Sequence, residues 1–199
     1  MKMRCLVLAG LFALLLGAGE ARAQRGLPGQ LGIGLHAGTV DGLLLRDSRL
    51  CYRYHTGLEV VRYNRGHSYW NFGVGYLHKD YAYYGVTGRQ AVPVAQYTAG
   101  AGLNLPLLSD RGRNVTLYGN LSALLGYETS GRDGKALEDG ATLVNRNGFL
   151  YGPGFGATLE GYLSDRVILL VRVHQHCAFG SSTGPFHTEL GFGLRFIIN

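Results

Sequence analysis

Lysine is scarce in this 199-residue chain: of 19 basic residues only Lys2, Lys79 and Lys135 are lysines, and the arginines are scattered. Without a Lys/Arg stripe the sequence lacks the footprint of a nucleic-acid-binding face. Beyond the first two dozen residues there is no apolar run approaching the ~20 residues of a membrane-spanning helix, so helical crossing of a membrane by the body of the chain is excluded. The glycine runs form neither a P-loop nor a strand–turn–helix fingerprint, which excludes phosphate cradling of that kind. Cysteine is nearly missing, with Cys5, Cys51 and Cys177 alone. Counting alternation along their segments puts Cys51 on the face of Arg53 and Glu59, but Cys177 on that of Val171 and Val173. Opposed faces are poor disulfide geometry, so both are expected to be free thiols.

What is present begins with an export signal. Lys2 and Arg4 precede an apolar run from Cys5 to Ala18, and Ala21-Arg22-Ala23 is a small-x-small cleavage site. Residues 1–23 are read as a signal peptide and residues 24–199 as one domain of 176 residues with 16 basic against 12 acidic side chains, a mature charge of +4. Glycine, 32 of 199 residues, is about twice its usual share near 7%. The 13 tyrosines outnumber the 8 phenylalanines and single tryptophan together.

Period-2 alternation dominates the mature chain. It is clearest at the end, where Leu190, Phe192, Leu194, Phe196 and Ile198 oppose Gly191, Gly193, Arg195 and Ile197. Val167, Leu169, Val171 and Val173 oppose Arg172, His174 and His176, and Gly180–Pro185 between them is turn chemistry. Six further strands are expected at 31–40, 50–63, 68–79, 93–107, 115–128 and 149–163. The turns at 64–67, 109–114 and 164–166 are short. The connections Asp41–Arg49, Asp80–Val92 and Thr129–Gly148 read as longer loops. Alternating short turns and long loops, with strands longer than the 5–6 residues usual in soluble sheets, fit an all-β fold. The expected fold is an eight-stranded antiparallel up-and-down transmembrane β-barrel of the small OmpA/OmpX kind.

On that reading Leu103, Leu105, Val171, Phe192 and Phe196 face lipid. Arg53, Glu59, Glu160, Arg172, Glu189 and Arg195 fill the interior, paired because lone buried charge is costly. Tyr52, Tyr69, Trp70, Tyr127, Phe149 and Tyr162 suit interfacial belts. His174, His176 and His187 with Ser181, Ser182 and Thr183 are the residues a rim enzyme would need, but these are also ordinary turn residues, and no catalytic residue is assigned. His174-x-His176 offers two metal ligands without a third; no metal site and no cofactor are expected.

Six segments have recognisable wording: Leu27–Ile33, Gln96–Gly102, Gly126–Thr129, Asp139–Gly152, Tyr162–Val171 and, most specifically, GSSTGPFHTELGFGLRFIIN at Gly180–Asn199. Together they resemble the conjugal transfer protein TraO family. The segment His174–Ala178 matches no motif of the family, and the chain ends Ile197-Ile198-Asn199 after Phe196, where many outer-membrane barrels end on the aromatic. The resemblance implies a part in moving mobile-element DNA between Gram-negative cells through a type IV secretion-like apparatus. The expectation is a non-enzymatic outer-membrane accessory, both mature termini periplasmic, with membrane lipid and other conjugation proteins as partners and no direct nucleic-acid contact indicated. The alternatives are a small lipid-modifying outer-membrane enzyme and a soluble periplasmic ligand-binding barrel.

Overall fold

The computed structural model describes residues 25–41, 53–85, 88–130, 148–182 and 184–198. The eight strands are β1 (Leu31–Val40), β2 (Arg53–Tyr63), β3 (Tyr69–Gly85), β4 (Gly88–Ser109), β5 (Val115–Ser130), β6 (Gly148–Tyr162), β7 (Val167–Cys177) and β8 (Phe186–Ile197). Each pairs antiparallel with its sequence neighbours, and β1 pairs with β8 from Gly32↔Ile197 to Val40↔Glu189, so the sheet closes into a barrel. Closure satisfies every ladder without an edge, which a sheet in hydrocarbon requires.

Alternation decides the two walls. Ile33, Leu35, Leu58, Val60, Phe72, Val74, Leu121, Leu125, Phe155, Phe192 and Phe196 are all exposed on the outside. A soluble monomer rarely exposes apolar patches beyond a few hundred Å²; a continuous girdle of this kind belongs against acyl chains. Leu103 and Val171 also point outward but are half-buried, Leu103 between Trp70 and Leu121 and Val171 between Leu159 and Phe192 on the adjoining strands. Leu105 is exposed. The oily wall therefore faces out, and the soluble barrel with an inward apolar wall is not the fold observed.

Three expectations need correction. The loop expected at Asp80–Val92 is largely strand: β3 and β4 stay paired from Asp80↔Pro93 to Gly85↔Gly88, forming a long hairpin beyond the barrel. Tyr69 and Tyr162, assigned to the belts, point inward and are buried; Trp70, Tyr127 and Phe149 do lie outside, and Tyr52 falls outside the described residues. Arg53, assigned to the interior, sits at the start of β2 where the wall opens. Its side chain is exposed, with a guanidinium nitrogen 3.5 Å from the Asp41 carbonyl. Most of the loops expected at Asp41–Arg49 and Thr129–Gly148 lie outside the described residues, as does Cys51, while Cys177 is a free thiol.

The short turns are sharp. The β2–β3 turn holds a helical turn at Arg65–His67 with Gly66 at φ 76° and His67 at φ 62°. Asp110 organises the β4–β5 turn by accepting from the backbone N–H groups of Gly112 (3.2 Å) and Val115 (2.9 Å). Its carboxyl, which burial would raise, is held below its ordinary value of 3.8 by these bonds. Near the end of β4 the register slips between Pro106 and Leu108; proline has no N–H for the ladder, and a bulge absorbs the mismatch.

Candidate functional site: the filled interior and its mouth

Eight strands leave an interior only wide enough for side chains. At the short-turn end that interior is apolar and aromatic. Val61, Tyr63, Tyr69, Tyr118, Tyr162, Ile168, Leu170 and Ile197 form one buried cluster, with ring centroids 5.1 Å apart for Tyr63–Tyr69 and 5.0 Å for Tyr69–Tyr118. This is the floor of the barrel. Arg25, from the segment leading into β1, lies over the Tyr162 ring at 4.9 Å.

On the floor sits a charge cluster. Arg195, fully buried, donates to Glu59 (2.7 Å), to Glu160, and to the hydroxyls of Tyr63 and Tyr69 (3.1 Å each), with its guanidinium 4.5 Å from the Tyr69 ring centre. Glu59 also accepts from Arg172 at 3.0 Å, so one carboxylate joins two arginines. Burying such charges is costly unless they are paired; the cluster pairs them and leaves the Arg195 Nε without a partner. Glycine makes the room: a Cβ on Gly34 would stand 2.7 Å from the Glu59 side chain. On the opposite wall Asn71, Asn104 and Asn120 form an amide triad, Asn104 donating to Asn71 at 2.8 Å and Asn120 to Asn104 at 2.9 Å.

The structure thus brings Glu59, Glu160, Arg172 and Arg195 together. Glu189 stands apart, one layer higher, facing His176 Nε2 at 3.3 Å and His55 Nδ1 at 3.6 Å. Here four imidazoles line the wall. His36 Nδ1 is 3.0 Å from Arg172, the His36 and His55 rings are 5.7 Å apart, and His174 Nδ1 lies 3.4 Å from His176 Nε2. Each ring lies against a glycine on an adjoining strand: His36 over Gly57, His55 over Gly38, His176 over Gly154 and His174 over Gly156. They border a cavity of about 120 Å³ in the loop-side half, closed below by Glu59 and Arg172. Among the described residues no group of three or more His, Cys, Asp or Glu side chains is placed to hold a metal ion.

The mouth is a hydrogen-bonded lid. Glu128 accepts from the Ser181 hydroxyl (2.8 Å), the Ser182 hydroxyl and backbone N–H (2.9 Å for the latter), and the Gln96 amide (2.7 Å), tying the β7–β8 loop across to β4 and β5. Asp41 takes the Lys79 ammonium and the Thr188 N–H (2.6 Å), and Lys79 lies 2.5 Å from His187 Nδ1. Burial would raise the Asp41 carboxyl, but His187, Lys79 and the Thr188 N–H together hold it well below its ordinary 3.8. The serines considered for rim chemistry therefore donate straight to a carboxylate, and His174 and His176 stack deeper inside. Tyr63 and Tyr118 of the floor, the amide triad, His36, His55 and the Glu128 and Asp41 anchors were not singled out in the sequence, and Tyr69 and Tyr162 were assigned to the belts. Parity counting from Trp70 or Glu160 would have turned Tyr69 and Tyr162 inward.

Solved structures share this architecture at low identity. A major outer membrane protein from Thermus thermophilus matches with TM-score 0.55 at 13% identity, covering 85% of this chain and 98% of that one. Neisserial surface protein A matches at 0.54, 11% identity and 85% and 96% coverage. The outer membrane protein OprG from Pseudomonas aeruginosa matches at 0.54, 11% identity and 87% and 99% coverage. Identities this low speak for the fold alone, that of small eight-stranded transmembrane barrels. No curated protein sequence matches the chain. The family model described as Conjugative transposon protein TraO matches residues 27–198, nearly the whole barrel, and the chain belongs to that family.

Proposed function

We propose that this protein is a non-enzymatic, non-conducting barrel of the outer membrane that serves the conjugation apparatus as an accessory. The observation that carries the reading is the filled interior: among the described residues an aromatic floor, paired charges above it and a tethered lid occupy the bore. Such a barrel contributes through its two ends. Long loops and the β3–β4 hairpin at the mouth face outward from the cell; the short turns and both mature termini face the periplasm, the usual arrangement of such barrels.

The ends differ in charge. The short-turn end bears six arginines, at 25, 62, 65, 111, 113 and 166, against Asp110 and Asp165, a net +4 equal to that of the whole mature chain. Arg65, Arg111, Arg113 and Arg166 are exposed on the turns themselves. They suit an acidic surface on a periplasmic component of the transfer machinery, since charge complementarity governs partner choice and encounter rate.

Deleting the gene should lower transfer frequency with donor growth unchanged, and the unaltered gene should restore it. A variant combining Arg65→Glu, Arg111→Glu and Arg113→Glu should reach the membrane folded yet fail to restore transfer. Undiminished transfer after deletion would end the proposal, as would large stable openings of the purified protein in planar-bilayer recordings.

A further inference from the structure

On the outer wall at the short-turn end lies a groove of about 560 Å³, bordered by Pro28, Gly29, Arg62, Asn64, Trp70 and Phe72. Arg62 is one residue from the end of β2 and directly across from Trp70 in the β2–β3 ladder. Both side chains are exposed on the oily face, with Phe72 next to them at 55% exposure. The groove's other wall is fixed by backbone bonds, from Gly29 N–H to the Tyr63 carbonyl at 2.8 Å and from Tyr63 N–H to the Gln30 carbonyl at 2.9 Å. Arg62 interrupts an otherwise apolar ring: at this end the outward positions on other strands are Leu31, Leu103, Leu117, Val167 and Phe196. Among the described residues no carboxylate pairs with Arg62.

A guanidinium on a lipid-facing wall costs about 2–4 kcal/mol at mid-bilayer and nearly nothing at the interface, so this position belongs at headgroup depth. There the planar fork matches two phosphate oxygens, the indole presents a donor N–H beside an apolar ring, and Phe72 continues the surface towards the acyl region. Among the described residues no acidic side chain borders the groove to receive the ammonium of a zwitterionic headgroup. We propose that the groove is a binding site for an anionic phospholipid of the phosphatidylglycerol class, with the phosphate on Arg62 and the glycerol backbone against Trp70.

Trp70 is the chain's only tryptophan, so its fluorescence reports on this groove alone. The mature protein would be reconstituted in phosphatidylcholine bilayers containing equal mole fractions of brominated phosphatidylglycerol or brominated phosphatidylcholine. The anionic lipid is expected to be enriched about fivefold at Trp70, the ~1 kcal/mol that one basic residue contributes against anionic lipid. Arg62→Gln should erase that preference while leaving quenching by brominated phosphatidylcholine and heat-modifiable gel mobility intact. Equal quenching by both headgroups in the unaltered protein, or a preference that survives Arg62→Gln, would overturn the proposal. Loss of the preference in millimolar inorganic phosphate would assign the groove to phosphate rather than lipid. Quenching by neither lipid would instead remove the lipid-facing reading of the outer wall on which the proposal rests.

Discussion

The two halves of the barrel interior are built on opposite principles. The short-turn half is packed: tyrosine rings in contact, aliphatic side chains between them, and Arg195 with five-way support from Glu59, Glu160, Tyr63, Tyr69 and the Tyr69 ring face. The loop-side half is porous, with imidazoles laid over glycines around a cavity of about 120 Å³; buried polar atoms without hydrogen-bond partners occur in both halves, Arg195 Nε below and His55 Nε2, His174 Nε2 and His176 Nδ1 above. Close packing and paired charge concentrate stability at the floor, while the upper half keeps the freedom that its empty volume implies.

Breaking the floor should have the largest effect. Arg195→Met leaves two buried carboxylates without their shared cation, and removing one partner of such a cluster costs about 3–5 kcal/mol. Urea unfolding in detergent micelles should show that loss, or the chain should fail to give the heat-modifiable folded band. A loss below about 1 kcal/mol, the scale of a surface pair, would erase the contrast between the halves. A smaller effect is expected in the upper half from Gly57→Ala. Its new Cβ would stand 2.6 Å from His36 Nε2 and 2.9 Å from the Val74 carbonyl, and overpacking of this kind costs about 1–3 kcal/mol. The cavity can take the displaced His36 ring but the Val74 carbonyl is backbone and must shift with its strand, so the middle of that range is the prediction.

The mouth should give the smallest and most pH-dependent effect. A carboxyl whose folded value is depressed stabilises the fold above its ordinary value and loses that contribution as pH falls through the folded one. Asp41 should therefore hold the lid at pH 5 and release it progressively below its ordinary value of 3.8. Protection of the Thr188 amide, which donates to Asp41, scored against the unprotected exchange rate at each pH, should fall from pH 5 to about pH 2 in the parent chain and be low at both pH values in Asp41→Asn. Unchanged protection across that window in the parent would show that the lid does not depend on this carboxylate.

Much of this was legible in the sequence, because a period of 2 on a closed sheet leaves each side chain only two places to go. Val171 out and Arg172 in follow from counting alone, as do Phe192 out and Arg195 in. The failures arose where residue type was weighed above count. Tyr69 and Tyr162 are chemically at home in an interface belt, yet each stands an odd number of residues from an outward neighbour, Trp70 and Leu159 respectively. Arg53 failed for the converse reason: parity puts it on the inner face, but the strand ends there and the side chain opens to the mouth. The seating of histidine on glycine was not legible at all. It depends on which residues meet across strands, as His36 meets Gly57, and register is fixed by the closed fold rather than by either segment.

The long β3–β4 ribbon has a consequence for reach. Continuing the barrel's own ladder for five residue pairs past Asp80↔Pro93 carries its tip about 17 Å further at ~3.4 Å per residue. An unpaired loop of the same length would wander over a wide volume near the rim. A hydrogen-bonded ribbon continuous with the barrel instead carries the Gly85↔Gly88 pair to a set distance from the rim, so a partner that reaches it meets paired strands rather than slack chain.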